Sequence, residues 1–387
     1  MRYGNVNQQE HSKSSVNALK RTLGRAKSRK YREQKKLTLV ELQQKFLETM
    51  PRKNITSKTV NDYIVSLRMQ DELVNAQYVD EIDFECAQYI VAAIQHYPKN
   101  KTKDHDLQGF DGYDAIYRAA ELGKDSISTS RALSIVQRLS TFMNYCVRMD
   151  HATTNVYRGQ MSKRDVVLNP RLPFANEHLS AIFTMKDYRL HTYRHPYHYW
   201  IPLLLRYTGA RLNELCALYS SNIKIIDGAL CIMIDAQNED QRVKNQNSTR
   251  CIPVHSELIR LGFVEFINSL NSERVFPELG LVSGYYSHYA SKWFSNRRAK
   301  LHLGKGLDTY SFRHRFITEM RENDISFPTI MSLAGHLNSD EHPELKKWYS
   351  SPTNQVYSHF LTPLVTSPSI EAICSKHTQH IRPYNER

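Results

Sequence analysis

Residues 208–215 read T-G-A-R-L-N-E-L. Arg211 and Glu214 stand three positions apart, one helical turn, so on the first turn of a helix the carboxylate can hold the guanidinium. Alone, that is an ordinary intrahelical ion pair. Working outward, "YWIPLLL" at 199–205 is the longest apolar run, far too short to span a bilayer. Downstream, "NIKIIDGALCIMIDAQ" (222–237) holds two β-rich segments around Asp227-Gly228, a hairpin turn signal. "TRCIPVH" (249–255) supplies a third strand, which leaves Lys244 on the polar connection between strands, and helices are expected to resume from about residue 285. "SFRHRF" (311–316) carries Arg313 in a helical context, and "SLAGH" (332–336) ends a helix at Gly335 with His336 directly after it. A surface arginine, a turn lysine and a capping glycine are the bland accounts of these pieces.

The N-terminal half has a different texture. Lys20, Arg21, Arg25, Lys27, Arg29, Lys30, Arg32, Lys35 and Lys36 crowd "LKRTLGRAKSRKYREQKK" (19–36) against the single acid Glu33. Residues 1–36 therefore read either as a basic arm or as a solvated tail. From 37 to 150 the pattern is helical. In 126–149, Leu133, Val136, Leu139, Met143, Cys146 and Val147 recur at steps of three and four, one apolar stripe, with Arg131 and Arg138 lying away from much of it. These two face phosphates or simply solvent. Residues 157–174 lack a sustained period and contain two prolines, which suits a linker. Asn176 is the expected cap of the helical run that follows.

Composition bounds the class. A chain of 387 residues can bury two cores. Its 52 Lys and Arg against 39 Asp and Glu leave a net charge of +13, which favours a polyanionic partner, nucleic acid ahead of an acidic membrane. The six cysteines form no C-x-x-C pair, so reduced thiols in a cytoplasmic protein are the simplest account, without zinc. No signal-peptide pattern opens the chain.

Taken in order, "TGARLNEL", Lys244 before "RCIP", "YSFRHR", "LAGH" and "TNQVYSH" resemble the tyrosine recombinases, or phage-type integrases. The likeness is strong over 175–360 and looser over 37–150. It implies a mainly α fold with a small antiparallel β-sheet (α+β). A helical core-binding domain (37–156), a linker (157–174) and a catalytic domain (175–360) would close as a C-shaped clamp on DNA. The tail 361–387 would offer a short helix to a neighbouring protomer. The resemblance further implies Arg211, Lys244, Tyr310, Arg313, His336 and the nucleophile Tyr357 as catalytic residues, with Glu214 and His314 supporting them. Arg131, Arg138 and the arm residues Lys20, Arg21, Arg25, Lys27, Arg29 and Lys30 would contact DNA. No cofactor or metal is implied. The partners would be double-stranded DNA recombination sites, a homo-tetramer on two of them, and an accessory directionality or DNA-bending protein. A prokaryotic or phage-derived, nucleoid-associated enzyme is the corresponding expectation.

The chemistry explains the set. A phenol oxygen displaces the deoxyribose 5′-oxygen from phosphorus and conserves the bond as a 3′-phosphotyrosyl link. Two arginines hold the non-bridging oxygens as charge grows, and a lysine protonates the departing oxygen. Three departures stand out. Tyr310 takes the place where the family most often has histidine, and Arg315 replaces the usual threonine, adding charge beside the site. The step from 336 to 357 is 21 residues, about twice the usual interval, so 337–352 reads as an insertion. The step from 336 to 349 is 13, which makes Tyr349 the alternative nucleophile, although only Tyr357 satisfies T-x-x-x-Y-x-H. A non-cleaving DNA-binding regulator and a type IB topoisomerase-like relaxing enzyme are the competing functions.

Overall fold

The computed structural model describes residues 36–50, 55–162, 171–226, 228–241 and 249–335. They fall into two compact units, one up to residue 168 and one from residue 169.

The first unit is helical: α1 (Leu39–Glu48), α2 (Ser57–Leu73), α3 (Phe84–His96), α4 (Gly112–Glu121) and α5 (Thr129–Arg148). Short polar side chains start α1, α2, α3 and α5 by taking otherwise orphaned amide protons. The Glu41 amide donates to Thr38 Oγ1 while the Thr38 amide donates to the Glu41 carboxylate at 2.8 Å, a reciprocal capping box. Asp83 and Ser128 accept in the same way from Cys86 and Arg131. The stripe on α5 faces inward as its spacing predicts: Leu133, Val136, Leu139, Met143 and Cys146 are buried, with Val147 partly so. They pack with Leu42, Phe46, Leu67, Ile90 and Ile94. Each large side chain removed from water in this way contributes about 1.5–3 kcal/mol. Tyr157, the first residue of the expected linker, belongs to this core, and its hydroxyl donates to buried Gln70 at 2.8 Å.

The second unit begins with Phe174, fully buried against Phe312. Its helices α6 (Asn176–Phe183), α7 (Lys186–Arg189), α8 (Pro196–Thr208) and α9 (Leu212–Cys216) precede strands β1 (Ile223–Ile226), β2 (Ala229–Ile234) and β3 (Arg250–Pro253). Then come α10 (Ser256–Arg260), α11 (Phe263–Asn268), α12 (Ser287–Lys300), α13 (Thr309–Glu322) and α14 (Phe327–Ala334). The sheet is antiparallel in the order β1-β2-β3, with Ile226 opposite Ala229 across the hairpin and Ile232 opposite Ile252. Two corrections apply. Ala175, not Asn176, holds the cap position of α6, and its amide donates to His178 Nδ1. Helices resume after the sheet at Ser256, well before the expected residue 285.

Every residue of α8 is buried, the signature of a helix packed on all sides. Trp200, Leu203 and Leu204 lie in one core with Ile232, Ile252, Phe312 and Phe316. A buried ion pair, Arg206 to Glu319 at 2.6 Å, ties α8 to α13. Those two helices position the site. Among the described residues no helix is long and apolar enough to cross a membrane.

Candidate functional site

The octapeptide 208–215 is a turn between two helices. α8 stops at Gly209, which has φ of +61°, and a Cβ there would lie 2.4 Å from Cδ1 of Phe316, so both backbone and packing require glycine. The chain then re-enters a helix with Arg211 at the cap position of α9. Glu214 holds it twice: Oε2 accepts from the Arg211 amide at 2.9 Å and Oε1 from Nη1 at 2.7 Å.

Two more arginines converge here. Arg250, the first residue of β3, donates from Nη2 to Glu214 Oε2, the oxygen that also accepts from the Arg211 amide, at 2.7 Å. Arg313, on α13, donates from Nη1 to the Gly209 carbonyl at 2.6 Å. All three guanidinium groups also meet the C-terminus of α14: Arg250 Nε donates to Leu333 O at 2.7 Å, Arg313 Nη2 to Ala334 O, and Arg211 Nη2 to Gly335 O at 3.0 Å. A helix end has unsatisfied carbonyls and partial negative charge, so it attracts cations. Gly335 turns the chain with φ of +64° directly before residue 336.

Electrostatically the cluster is three cations around one carboxylate. Burial pushes the Glu214 carboxyl up, but Arg250 and then Arg211 outweigh it and hold the group down at about 2. Burial, followed by the charges of Arg211 and Arg250, pushes the Arg313 guanidinium below its ordinary value. Arg313 is only 1 % exposed, so it is no surface arginine. The side chain of Arg211 keeps 21 % of its area open.

The other expected residues divide. Tyr310 is half-buried at the start of α13, its ring 4.9 Å from that of His314 and 5.1 Å from the Arg171 guanidinium. Burial, then Arg171 and Arg313, lowers the His314 imidazole, which leaves it neutral at pH 7. Arg315 faces Glu319, the carboxylate that also holds Arg206, at 3.4 Å and Asn176 Oδ1 at 3.2 Å. Arg131 and Arg138 flank Asp62 of α2, each at 3.3 Å. Lys244, His336, Tyr349 and Tyr357 lie outside the described residues, as do Lys20, Arg21, Arg25, Lys27, Arg29 and Lys30. The chain leading toward Lys244 is anchored as far as Gln241, whose Nε2 donates to Ala217 O and Asn222 Oδ1, both at 2.9 Å. Next to it, Asp240 accepts from the Tyr219 and Tyr286 hydroxyls.

Arg250 served in the sequence reading only as a landmark. Its strand position carried the missing signal: it shares a sheet face with Ile252, and a charge on the core face of a strand needs a buried counter-charge.

Residues 175–344 match the profile of the phage integrase family. No curated protein is significantly similar to the chain in sequence. Among solved structures, the Tn1549 transposon integrase in complex with a circular intermediate DNA aligns with a TM-score of 0.55 at 16% identity, covering 84% of this chain and 99% of that one. A lambda integrase dimer bound to a COC′ core site aligns with a TM-score of 0.52 at 17% identity, over 80% of this chain and 77% of that one. A lambda integrase tetramer bound to a Holliday junction gives 0.52 at 16%, over 82% and 86%. At such identities the likeness is one of fold.

Proposed function

We propose that this chain, whose residues 175–344 match the phage integrase family profile, is a site-specific DNA recombinase that integrates or excises a mobile element through a 3′-phosphotyrosyl intermediate. The observation that carries this reading is the meeting of Arg211 and Arg313, from two separate motifs, on the adjacent carbonyls of Gly335 and Ala334. Two fixed cations beside one chain turn suit a phosphodiester whose charge grows during displacement. Holding them there in advance costs no reorganisation during the reaction.

In this mechanism the Tyr357 phenol gives its proton to a histidine of the site as its oxygen attacks phosphorus, the bond to the 5′-oxygen breaks, and Lys244 gives that oxygen its proton. His336 and neutral His314 hydrogen-bond the phosphate, and the energy of the broken bond is kept in the phosphotyrosyl link. No step calls for a metal ion. Assembly as a tetramer on two DNA sites and an accessory bending or directionality protein complete the proposal. The net charge of +13 supports a DNA partner.

The test is a nicked suicide duplex carrying the site that the protein selects from random-sequence DNA. Tyr357→Phe should abolish the covalent protein–DNA adduct while binding persists, and Tyr349→Phe should leave the adduct intact. The reverse pattern moves the nucleophile to Tyr349. An adduct in both variants removes both phenols. A regulator that binds without cleaving is the second reading, favoured by Tyr310 standing against Arg171 and His314, and wild-type protein that binds its selected site but never forms an adduct would establish it.

A further inference from the structure

We infer that Arg250 is a positioning residue that holds the Arg211 guanidinium in place for the scissile phosphate. The inference rests on the phosphodiester-cleaving reading above and adds a residue to it.

Arg250 and Arg211 share one carboxylate. Glu214 accepts Arg211 Nη1 on Oε1 and Arg250 Nη2 on Oε2, each at 2.7 Å. The same two arginines also share one helix end, Arg250 reaching Leu333 O at 2.7 Å and Arg211 reaching Gly335 O at 3.0 Å. The result is a closed ring, from Arg250 through Glu214 and Arg211 to Gly335 and back along α14. Both groups that orient Arg211, the Glu214 carboxylate and the α14 terminus, are gripped on their far side by Arg250.

Partners separate the roles. Arg250 commits Nε to Leu333 O and Nη2 to Glu214 and acts through these neighbours, while the Arg211 side chain, 21 % open, can meet a substrate. Packing makes the position specific. A Cβ on residue 335 would stand 2.8 Å from Arg250 Nη1, so the guanidinium lies flat against the glycine that turns the chain. Lysine would keep the charge but lose the planar fork, and one ammonium cannot reproduce both directed bonds.

The experiment uses full-length protein and the selected nicked duplex, with the scissile linkage made either as ordinary phosphate or as uncharged methylphosphonate. R250K retains the buried charge; R250Q removes it; R211A is the reference. Where Arg250 works by placing Arg211, R250K should slow adduct formation on phosphate by about 100-fold, the scale of a misplaced catalytic group. On methylphosphonate, where a clamp for negative charge is not needed, the slowing should shrink to within about threefold, as for R211A. Equal slowing on both linkages, or wild-type rates on phosphate, overturns the inference. So does failure of R250K to fold, which would make Arg250 a stability residue; if only R250Q fails to fold, R250K decides. An R211A variant slowed equally on both linkages removes the phosphate-clamp assignment itself and takes this inference with it. R211A relief without R250K relief removes the inference alone.

Discussion

Replacing Glu214 by Gln isolates the charge at the centre of the cluster. The side chain keeps its length and one oxygen, and loses the charge that Arg211 and Arg250 surround. Because the folded-state carboxyl is held at about 2, below an ordinary glutamate near about 4.3, Glu214 stabilises the fold by about 3 kcal/mol at neutral pH. Leaving the buried Arg250 guanidinium without its carboxylate gives a similar figure, about 3–5 kcal/mol for a broken buried pair. The sign follows from the depression. The contribution is fully present above the unfolded value, is about half lost by pH 3, and vanishes as pH falls through the folded value near about 2. Tryptophan fluorescence follows the right unit, since Trp200, Trp293 and Trp348 all fall after residue 168. Urea titrations of wild type and E214Q should therefore differ by about 3 kcal/mol at pH 7 and converge toward pH 2. A difference that stays constant with pH would refute the argument, because it would mean lost packing. A difference under about 1 kcal/mol at pH 7 would mean that the arginines find other partners as good.

Gly209→Ala combines a positive φ with a Cβ 2.4 Å from Phe316, so it should destabilise the second unit by about 2–4 kcal/mol; a loss below about 1 kcal/mol in the same fluorescence assay contradicts the packing account. DNA affinity should fall with salt at a log–log slope near about −9 if about ten phosphates are neutralised, and a slope shallower than about −2 separates the excess charge from DNA binding. Lys244→Ala should slow cleavage of an ordinary strand yet recover when the 5′-leaving oxygen is replaced by sulfur, which departs without a proton. Equally slow cleavage of the sulfur strand means that another group is the acid.

Local pattern determined much of this protein. The period of α5, the hairpin at Gly228, the stop at Gly335 and the placing of Arg211 one turn from Glu214 all depend on neighbours within a few residues, where side-chain spacing and backbone preference act directly. The order of five motifs carried the resemblance to the phage integrase family, whose profile residues 175–344 match, since order along a chain is itself sequence. Partnership across the fold was not legible in this way. Arg313 reads as a surface residue until α8 and α14 close over it. Arg250 had no assigned role until β3 met Glu214 and α14. Its buried charge is stable only with partners that sequence leaves far apart, so the tertiary contacts, and nothing nearer along the chain, decided which arginine stays partly open and which is buried behind it.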